Sequence, residues 1–147
     1  MRNKIFAVID TNVLVSALIS KKEDSPPLQI IKETFHGRII PIYNDEIIDE
    51  YREVLSRDKF GIGVNEIDAA IRVFTDFGLK LERTKTAESF TDTKDIVFYE
   101  VKMSKDDSYL VTGNIRHFPH KPFIVTPKEL IDILTETFYS EPSESAD

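Results

Sequence analysis

Apolar runs recur along the chain at intervals that predict strands separated by helices. Residues 5–9 form a continuous apolar run, which is typical of a strand buried on both faces of a sheet. Four more strands are predicted at residues 39–43, 79–83, 109–111 and 123–125. Pro41 lies inside the second of these strands and lacks the N–H group that a sheet interior normally uses, so proline is unusual at that position.

Between the strands, apolar residues three or four positions apart predict six helices. The predicted helices cover residues 13–19, 26–36, 45–55, 66–77, 93–103 and 127–139. Asn44 and Asn65 are predicted to cap the third and fourth helices, and Thr126 forms a capping box with Glu129 at the last. Strands that alternate with helices predict an α/β fold of three layers, in which helices cover both faces of a parallel sheet.

Length and composition favour a single globular unit. The chain has 147 residues, 41% of them hydrophobic, and we assign residues 1–139 to one domain. Residues 140–147 contain no aromatic or branched aliphatic side chain, which predicts a disordered acidic tail. The lack of cysteine excludes disulfides, thiolate metal sites and cysteine nucleophiles. Because no apolar run is long enough for a membrane span, we expect a soluble, cytoplasmic protein with no membrane partner.

Polar residues follow two of the predicted strands at the points where each strand ends. Asp10, Thr11 and Asn12 come directly after the first strand, and Thr112 and Asn114 follow the strand at 109–111. Ligands of parallel sheets bind beyond the carboxyl ends of the strands. These five side chains are therefore candidates for a functional site.

Two predicted helices carry acids that can reach the same edge of the sheet. Glu50 lies at the border of the apolar stripe of its helix, and Asp95 lies in the first turn of its helix. Each candidate also has an ordinary structural interpretation when taken alone. Asp10 would cap a helix, Glu50 would be solvated, and Asp95 would interact with the helix dipole. Asn114 alone would be a turn residue.

Taken together, the candidates indicate a cation site. Several carboxylates at one sheet edge repel each other unless a hard cation lies among them, and oxygen ligands favour Mg²⁺ or Mn²⁺. The net charge of −7 argues against a binder that relies on a basic surface. Residues 113–128, however, contain three basic residues and no acid: Arg116, Lys121 and Lys128. A basic flank beside an acidic pocket predicts a polyanionic substrate whose phosphate meets the metal.

Three segments of the chain, residues 8–18, 47–55 and 109–118, resemble the PIN-domain family, and the likeness extends over residues 4–128. The closest subgroup comprises the bacterial members regarded as toxin components of toxin–antitoxin pairs. The resemblance implies a strand order of 3-2-1-4-5 and a metal-dependent endoribonuclease, in which a metal-activated water hydrolyses RNA. It further implies Mg²⁺ or Mn²⁺ as cofactor and a small antitoxin protein as partner. A homodimer stays open, and so does DNA as the substrate.

The resemblance assigns catalytic and metal-binding roles to four residues: Asp10, Glu50, Asp95 and Asn114. Many members of the family have aspartate at the last of these positions, and the amide found here contributes no charge. Other side chains are expected to assist. Hydrogen bonds that orient the metal ligands would come from Thr11, Asn12 and Thr112. The substrate phosphate would be contacted by Arg116 and His117.

Other functions remain open at this level. The neutral Asn114 is consistent with a catalytically silent PIN-like module that binds RNA or protein. A phosphotransfer enzyme could use Asp10 as its nucleophile, although the Asp-Thr-Asn run lacks the second acid that such sites employ. A receiver-like domain would need a phosphoacceptor aspartate at the end of a central strand, and none follows residues 39–43.

Overall fold

A computed structural model describes residues 4–138 and contains one parallel sheet of five strands. The strands are Ile5–Ile9 (β1), Ile39–Tyr43 (β2), Leu79–Lys80 (β3), Tyr109–Val111 (β4) and Ile124–Val125 (β5). All four pairings are parallel, and the order across the sheet is β3-β2-β1-β4-β5. The predicted α/β fold and the strand order implied by the family resemblance are both confirmed.

The described residues also form six α-helices. They are Thr11–Ile19 (α1), Pro26–Phe35 (α2), Asp45–Leu55 (α3), Val64–Phe77 (α4), Thr93–Lys102 (α5) and Pro127–Phe138 (α6). Helix α5 contacts β1 and β4, whereas α4 contacts β2 and β3. No helix within residues 4–138 is long and apolar enough to cross a membrane. The predicted tail at 140–147 lies outside the described residues, as does position 139 at the predicted domain boundary.

Strand β1 is the centre of the sheet and fixes where the polar strand ends meet. It pairs with β2 from Ile5 to Val8 and with β4 from Ala7 to Ile9. Every β1 residue except the half-buried Phe6 is buried, as expected for a strand covered on both faces. Ile9 of β1 pairs with Val111 of β4. The residues that follow them, Asp10 and Thr112, are therefore neighbours at the carboxyl edge of the sheet.

Helix starts agree with the sequence where a side chain closes the first turn. Asn44 Oδ1 accepts a hydrogen bond from Ile47 N at 2.8 Å, so the predicted cap of α3 is confirmed. Thr126 and Glu129 form the predicted reciprocal capping box, with hydrogen bonds of 2.9 and 3.1 Å. The predicted cap Asn65 is wrong. Helix α4 starts two residues earlier, because the Glu66 carboxylate accepts a hydrogen bond from the backbone N–H of the residue before Val64.

Helix α1 also begins before the predicted Val13. The carboxylate of Asp10 accepts a hydrogen bond from Thr11 N at 2.8 Å, so the helix starts at Thr11, immediately after the strand. Asp10 is thus the N-cap of α1. The transition from β1 to α1 occupies a single residue, which holds Asp10 between two regular elements.

Pro41 is accommodated in β2 because its missing N–H faces away from β1. The carbonyl of Arg38 accepts a hydrogen bond from Ile5 N on the β1 side, and the carbonyl of Tyr43 accepts one from Leu81 N on the other side. Backbone groups alternate between sides along a parallel strand, so Pro41 faces the same way as Tyr43. Pairing with β3 begins only after Pro41, and no ladder hydrogen bond is lost there.

Gly78 joins α4 to β3 at a point of close backbone approach. A Cβ atom on Gly78 would lie 2.4 Å from the carbonyl oxygen of Phe74 and 2.5 Å from that of Pro41. Real Cβ atoms do not approach backbone oxygens so closely. Only glycine therefore fits between the end of α4 and strand β2.

Candidate active site

A cleft of about 340 Å³ opens at the carboxyl edge of the sheet, beyond the ends of β1 and β4. Its walls come from α1, α3, the start of α5 and the segment after β4. The lining residues are Asp10, Thr11, Asn12, Val15, Ser16, Glu50, Val54, Phe60, Asp92, Asp95, Asn114 and His117. The structure thus brings together the four residues predicted to bind metal, although they lie as much as 104 positions apart between Asp10 and Asn114.

Asp10 lies at the base of the cleft with its carboxylate held by three hydrogen bonds. Its Oδ1 accepts from Thr11 N at 2.8 Å, and its Oδ2 accepts from Thr112 Oγ1 at 2.8 Å and Asn12 Nδ2 at 3.2 Å. Burial raises the pKa of Asp10 above its usual value, the bonds from Thr112 and Thr11 oppose this, and the nearby Glu50 carboxylate adds to the rise. The protein therefore orients this carboxylate firmly while burying its charge.

The two strand ends are bonded to each other around Asp10. Asn12 Oδ1 accepts a hydrogen bond from Gly113 N at 3.0 Å, and Thr112 Oγ1 accepts one from Asn114 N at 2.9 Å. Asn12 and Thr112 each therefore contact both Asp10 and the segment after β4. Thr11 contacts Asp10 only through its backbone, and its buried hydroxyl has no hydrogen-bond partner in the described part of the chain.

Asp95 occupies the opposite wall in the first turn of α5. Asp92 caps that helix by accepting a hydrogen bond from Lys94 N at 3.0 Å. The Asp95 side chain is 14% exposed, and its Oδ2 is buried without a hydrogen-bond partner among residues 4–138. Burial, followed by the charges of Asp10 and Asp92, raises the pKa of Asp95 to about 6. This carboxylate is desolvated, repelled by its neighbours and unsatisfied.

The remaining predicted site residues differ in how closely they approach the cleft. Glu50 is half-buried on α3 and makes no hydrogen bond or ion pair within the described chain. Asn114 is exposed, and its backbone rather than its side chain is bonded. His117 Nδ1 lies 3.8 Å from Asp95 Oδ2. Arg116, predicted to contact substrate, is exposed and does not line the cleft.

The predicted basic flank is wrong in two of its three residues. Lys121 forms an ion pair with Glu88 at 3.1 Å, and Lys128 forms one with Asp132 at 3.1 Å. Neither lysine lines the cleft. The count of charges over residues 113–128 missed both acids, because Asp132 lies four residues after Lys128 and Glu88 lies 33 residues before Lys121. Only Arg116 remains of the expected basic flank.

Several cleft residues were not among the predicted site residues: Val15, Ser16, Val54, Phe60 and Asp92. Two of them carry a sequence signal. Ser16 lies four positions after Asn12 and so shares its helix face, and Asp92 precedes Asp95 by one turn. Phe60 lies in a short 3₁₀ helix whose direction no local pattern indicates.

The chemistry of the donors fits a divalent cation. Within residues 4–138, no three His, Asp or Glu side chains lie close enough together to hold a metal ion as they stand, although Asp10, Glu50 and Asp95 line the same cleft. All three supply oxygen ligands, the kind that Mg²⁺ and Mn²⁺ prefer. The unpartnered Oδ2 of Asp95 and the raised pKa values of Asp10 and Asp95 mark carboxylates that a cation would stabilise.

Fold and cleft together define an α/β protein with its binding site at the carboxyl ends of a parallel sheet, where carboxylates of separate elements meet. Comparison with protein families gives a more specific assignment. The PIN domain model matches residues 7–116, three quarters of the chain, and the chain belongs to the PIN-domain family. PIN domains are generally metal-dependent nucleases. No curated protein matches the chain.

Proposed function

We propose that this PIN-domain protein is an endoribonuclease that depends on Mg²⁺ or Mn²⁺. The observation that carries the proposal is the shared cleft, in which Asp95 presents a buried, unpartnered carboxylate oxygen near the charges of Asp10 and Glu50. A divalent ion bound there would offset the negative charge of a phosphodiester and lower the pKa of a bound water. The three carboxylates that would hold the ion are Asp10, Glu50 and Asp95.

The chain's own residues would prepare the site in different ways. Thr112 and Asn12 fix the direction of the Asp10 carboxylate through their hydrogen bonds. Asn114 would offer an amide oxygen without adding charge, which leaves three negative charges at the predicted ligands. His117, beside Asp95 at the cleft, would contact a substrate phosphate, and Arg116 would meet the same strand of RNA outside the cleft.

The test is cleavage of single-stranded RNA with Mn²⁺, with Mg²⁺ and with chelator, using single-stranded DNA of the same sequence as a comparison. Glu50→Gln should lower the rate on the order of 100-fold, because a metal ligand is lost. Asp49→Asn is the matched control, since Asp49 precedes Glu50 on α3 and is exposed outside the cleft. Activity that survives chelation, or that both variants reduce equally, would contradict the proposal. Cleavage of DNA alone would reassign the substrate.

A more specific role is as the toxin of a toxin–antitoxin pair, acting in the cytoplasm and blocked by a small antitoxin protein. The motif resemblance at residues 8–18 and 109–118 supports this role. Induced expression in bacteria should arrest growth with the wild-type chain and not with Asp10→Asn. Co-expression of the small neighbouring open reading frame should restore growth. Arrest by both forms would show that growth inhibition does not come from the cleft.

A catalytically silent binding module is the second candidate, and the neutral amide of Asn114 favours it. Calorimetric titration with Mn²⁺ distinguishes the two. An active nuclease should bind the ion saturably and lose binding in Asp10→Asn. A silent module should bind RNA or protein equally well in both forms, and without Mn²⁺.

A further inference from the structure

A buried tyrosine lies directly behind the cleft. The ladder between β1 and β2 ends at the pair Val8 and Ile42, and the next carbonyl of β1, that of Ile9, accepts a hydrogen bond of 2.5 Å from the Tyr51 hydroxyl. The Tyr51 side chain is fully buried on α3. A buried hydroxyl is costly unless it is bonded, and phenylalanine would fill the same space. What the Tyr51 hydroxyl adds, compared with phenylalanine, is therefore its hydrogen bond to the Ile9 carbonyl.

The bond from Tyr51 holds one end of the peptide unit that leads into Asp10. The other end of the same unit is the N–H of Asp10, which donates to the carbonyl of Val111 at 2.9 Å. Both polar groups of this planar unit are thus fixed, one by α3 and one by β4. Fixing the plane sets the direction in which the Asp10 side chain leaves the backbone.

The ring of Tyr51 packs against neighbouring helices, including α5, which carries Asp95. Glu50 is the preceding residue on α3, so the two side chains share one helical turn. The ring lies 6.3 Å, centroid to centroid, from Phe98, which follows Asp95 by one turn of α5. It also packs edge-on against Phe74 of α4 at 5.2 Å. One side chain therefore contacts or adjoins the elements that carry all three cleft carboxylates.

We propose that Tyr51 is a positioning residue that fixes Asp10 relative to Glu50 and Asp95, through its hydroxyl on the Ile9 carbonyl and its ring on Phe98. The inference rests on the proposed nuclease function for its catalytic meaning. Burial and the charge of Asp10 raise the pKa of Tyr51 well above its ordinary value, so the hydroxyl keeps its proton and remains a donor.

The experiment compares Tyr51→Phe with Ile30→Val by two measurements. Ile30 is fully buried on α2, a helix that contributes no residue to the cleft, so Ile30→Val perturbs packing alone. The first measurement is the dissociation constant for Mn²⁺ at a temperature where both variants are folded. Tyr51→Phe should weaken Mn²⁺ binding about tenfold, as loss of an orienting group does, and Ile30→Val should leave it unchanged.

The second measurement needs no metal. Hydrogen exchange of the Asp10 amide is compared with that of the Leu110 amide, which donates to Phe123 in the same sheet. Tyr51→Phe should speed exchange at Asp10 about tenfold relative to Leu110, whereas Ile30→Val should affect both amides alike. Cleavage assays then complete the comparison, with kcat expected to fall more than KM rises.

The outcomes separate this inference from the proposed function. If the wild-type chain binds no Mn²⁺, the nuclease proposal fails, and the exchange ratio still decides whether Tyr51 fixes Asp10. If Tyr51→Phe keeps the wild-type exchange ratio, or if Mn²⁺ binds the wild type and this variant equally, the positioning role is overturned. Equal effects of Tyr51→Phe and Ile30→Val would overturn it as well, because they would show a general loss of packing.

Discussion

The two deepest carboxylates of the cleft are prepared in opposite ways. Asp10 stands between β1 and α1 and accepts three hydrogen bonds, from Thr11, Asn12 and Thr112. Asp95 stands on the first turn of α5 with one oxygen buried and unbonded within the described residues. One carboxylate is fixed by the protein, whereas the other accepts no hydrogen bond from the described residues. The protein thus fixes the Asp10 carboxylate in advance, whereas under the proposed function the Asp95 carboxylate would be satisfied by the bound ion.

The first prediction neutralises Asp95 and Asp10 in turn. Asp95→Asn should raise the free energy of unfolding of the metal-free protein at pH 7 by on the order of 1 kcal/mol, because it removes a buried charge that lacks a hydrogen bond. Asp10→Asn should gain less, because its new NH₂ group would face the donors that now bond to Asp10. Urea unfolding in chelator measures both. A larger gain for Asp10→Asn would reverse the assignment of fixed and unsatisfied groups.

A second prediction separates two threonines that both donate hydrogen bonds to Asp10, Thr112 through its hydroxyl and Thr11 through its backbone. Thr112→Val removes the hydroxyl that donates to Asp10 and accepts from Asn114, and Mn²⁺ affinity should fall about tenfold. Thr11→Val is the matched control, because the Thr11 hydroxyl is unpartnered in the part of the chain that the structure describes. Calorimetric titration of both variants provides the measurement. If both variants lost Mn²⁺ affinity equally, the hydrogen bond from Thr112 to Asp10 would not be the cause of the loss.

The pH dependence of stability provides a further test of the buried Asp95 carboxylate. The pKa of Asp95 is raised from 3.8 to about 6, so between these values the folded chain binds more protons than the unfolded chain. The metal-free protein should therefore become less stable as the pH rises from 4 through 6, and Asp95→Asn should flatten this part of the profile. Urea midpoints measured across that window in chelator test the sign. Saturating Mn²⁺ should oppose the loss, because the ion competes with the proton.

The last prediction concerns His117 and Arg116, the two exposed residues expected to contact the substrate, and it expects only small losses of cleavage rate. His117 is exposed and lies 3.8 Å from Asp95, so His117→Ala should lower the cleavage rate only about threefold, as expected for an exposed polar contact. Arg116→Ala should change it less, because Arg116 does not line the cleft. Initial rates at low RNA concentration are the appropriate measurement. An effect as large as that of Glu50→Gln would place His117 in the chemistry itself.

Most of the fold was predictable because its signals are local. Strands buried on both faces produce continuous apolar runs, and Asn44 and Thr126 close helix turns through their own neighbours in sequence. The start of α4 was missed for a related reason. Asn65 is a good capping residue, but Glu66 reaches back to the N–H before Val64, and the competing bond decides the boundary.

The site was predictable only where topology places it. Asp10 and Thr112 follow strands that a parallel sheet brings side by side, so their meeting could be expected. Local sequence did not show that Lys121 would pair with Glu88, because that contact spans 33 positions. Tyr51 was even less visible, since a tyrosine in an apolar stripe looks like ordinary core until the Ile9 carbonyl is placed beside its hydroxyl.

The lengths of the strands have a consequence for self-association. The sheet has five-residue strands at β1 and β2, but only two residues in each outer strand, β3 and β5. An outer strand of two residues offers very few backbone groups for another chain to extend. The sheet is thereby protected against open-ended growth by strand addition.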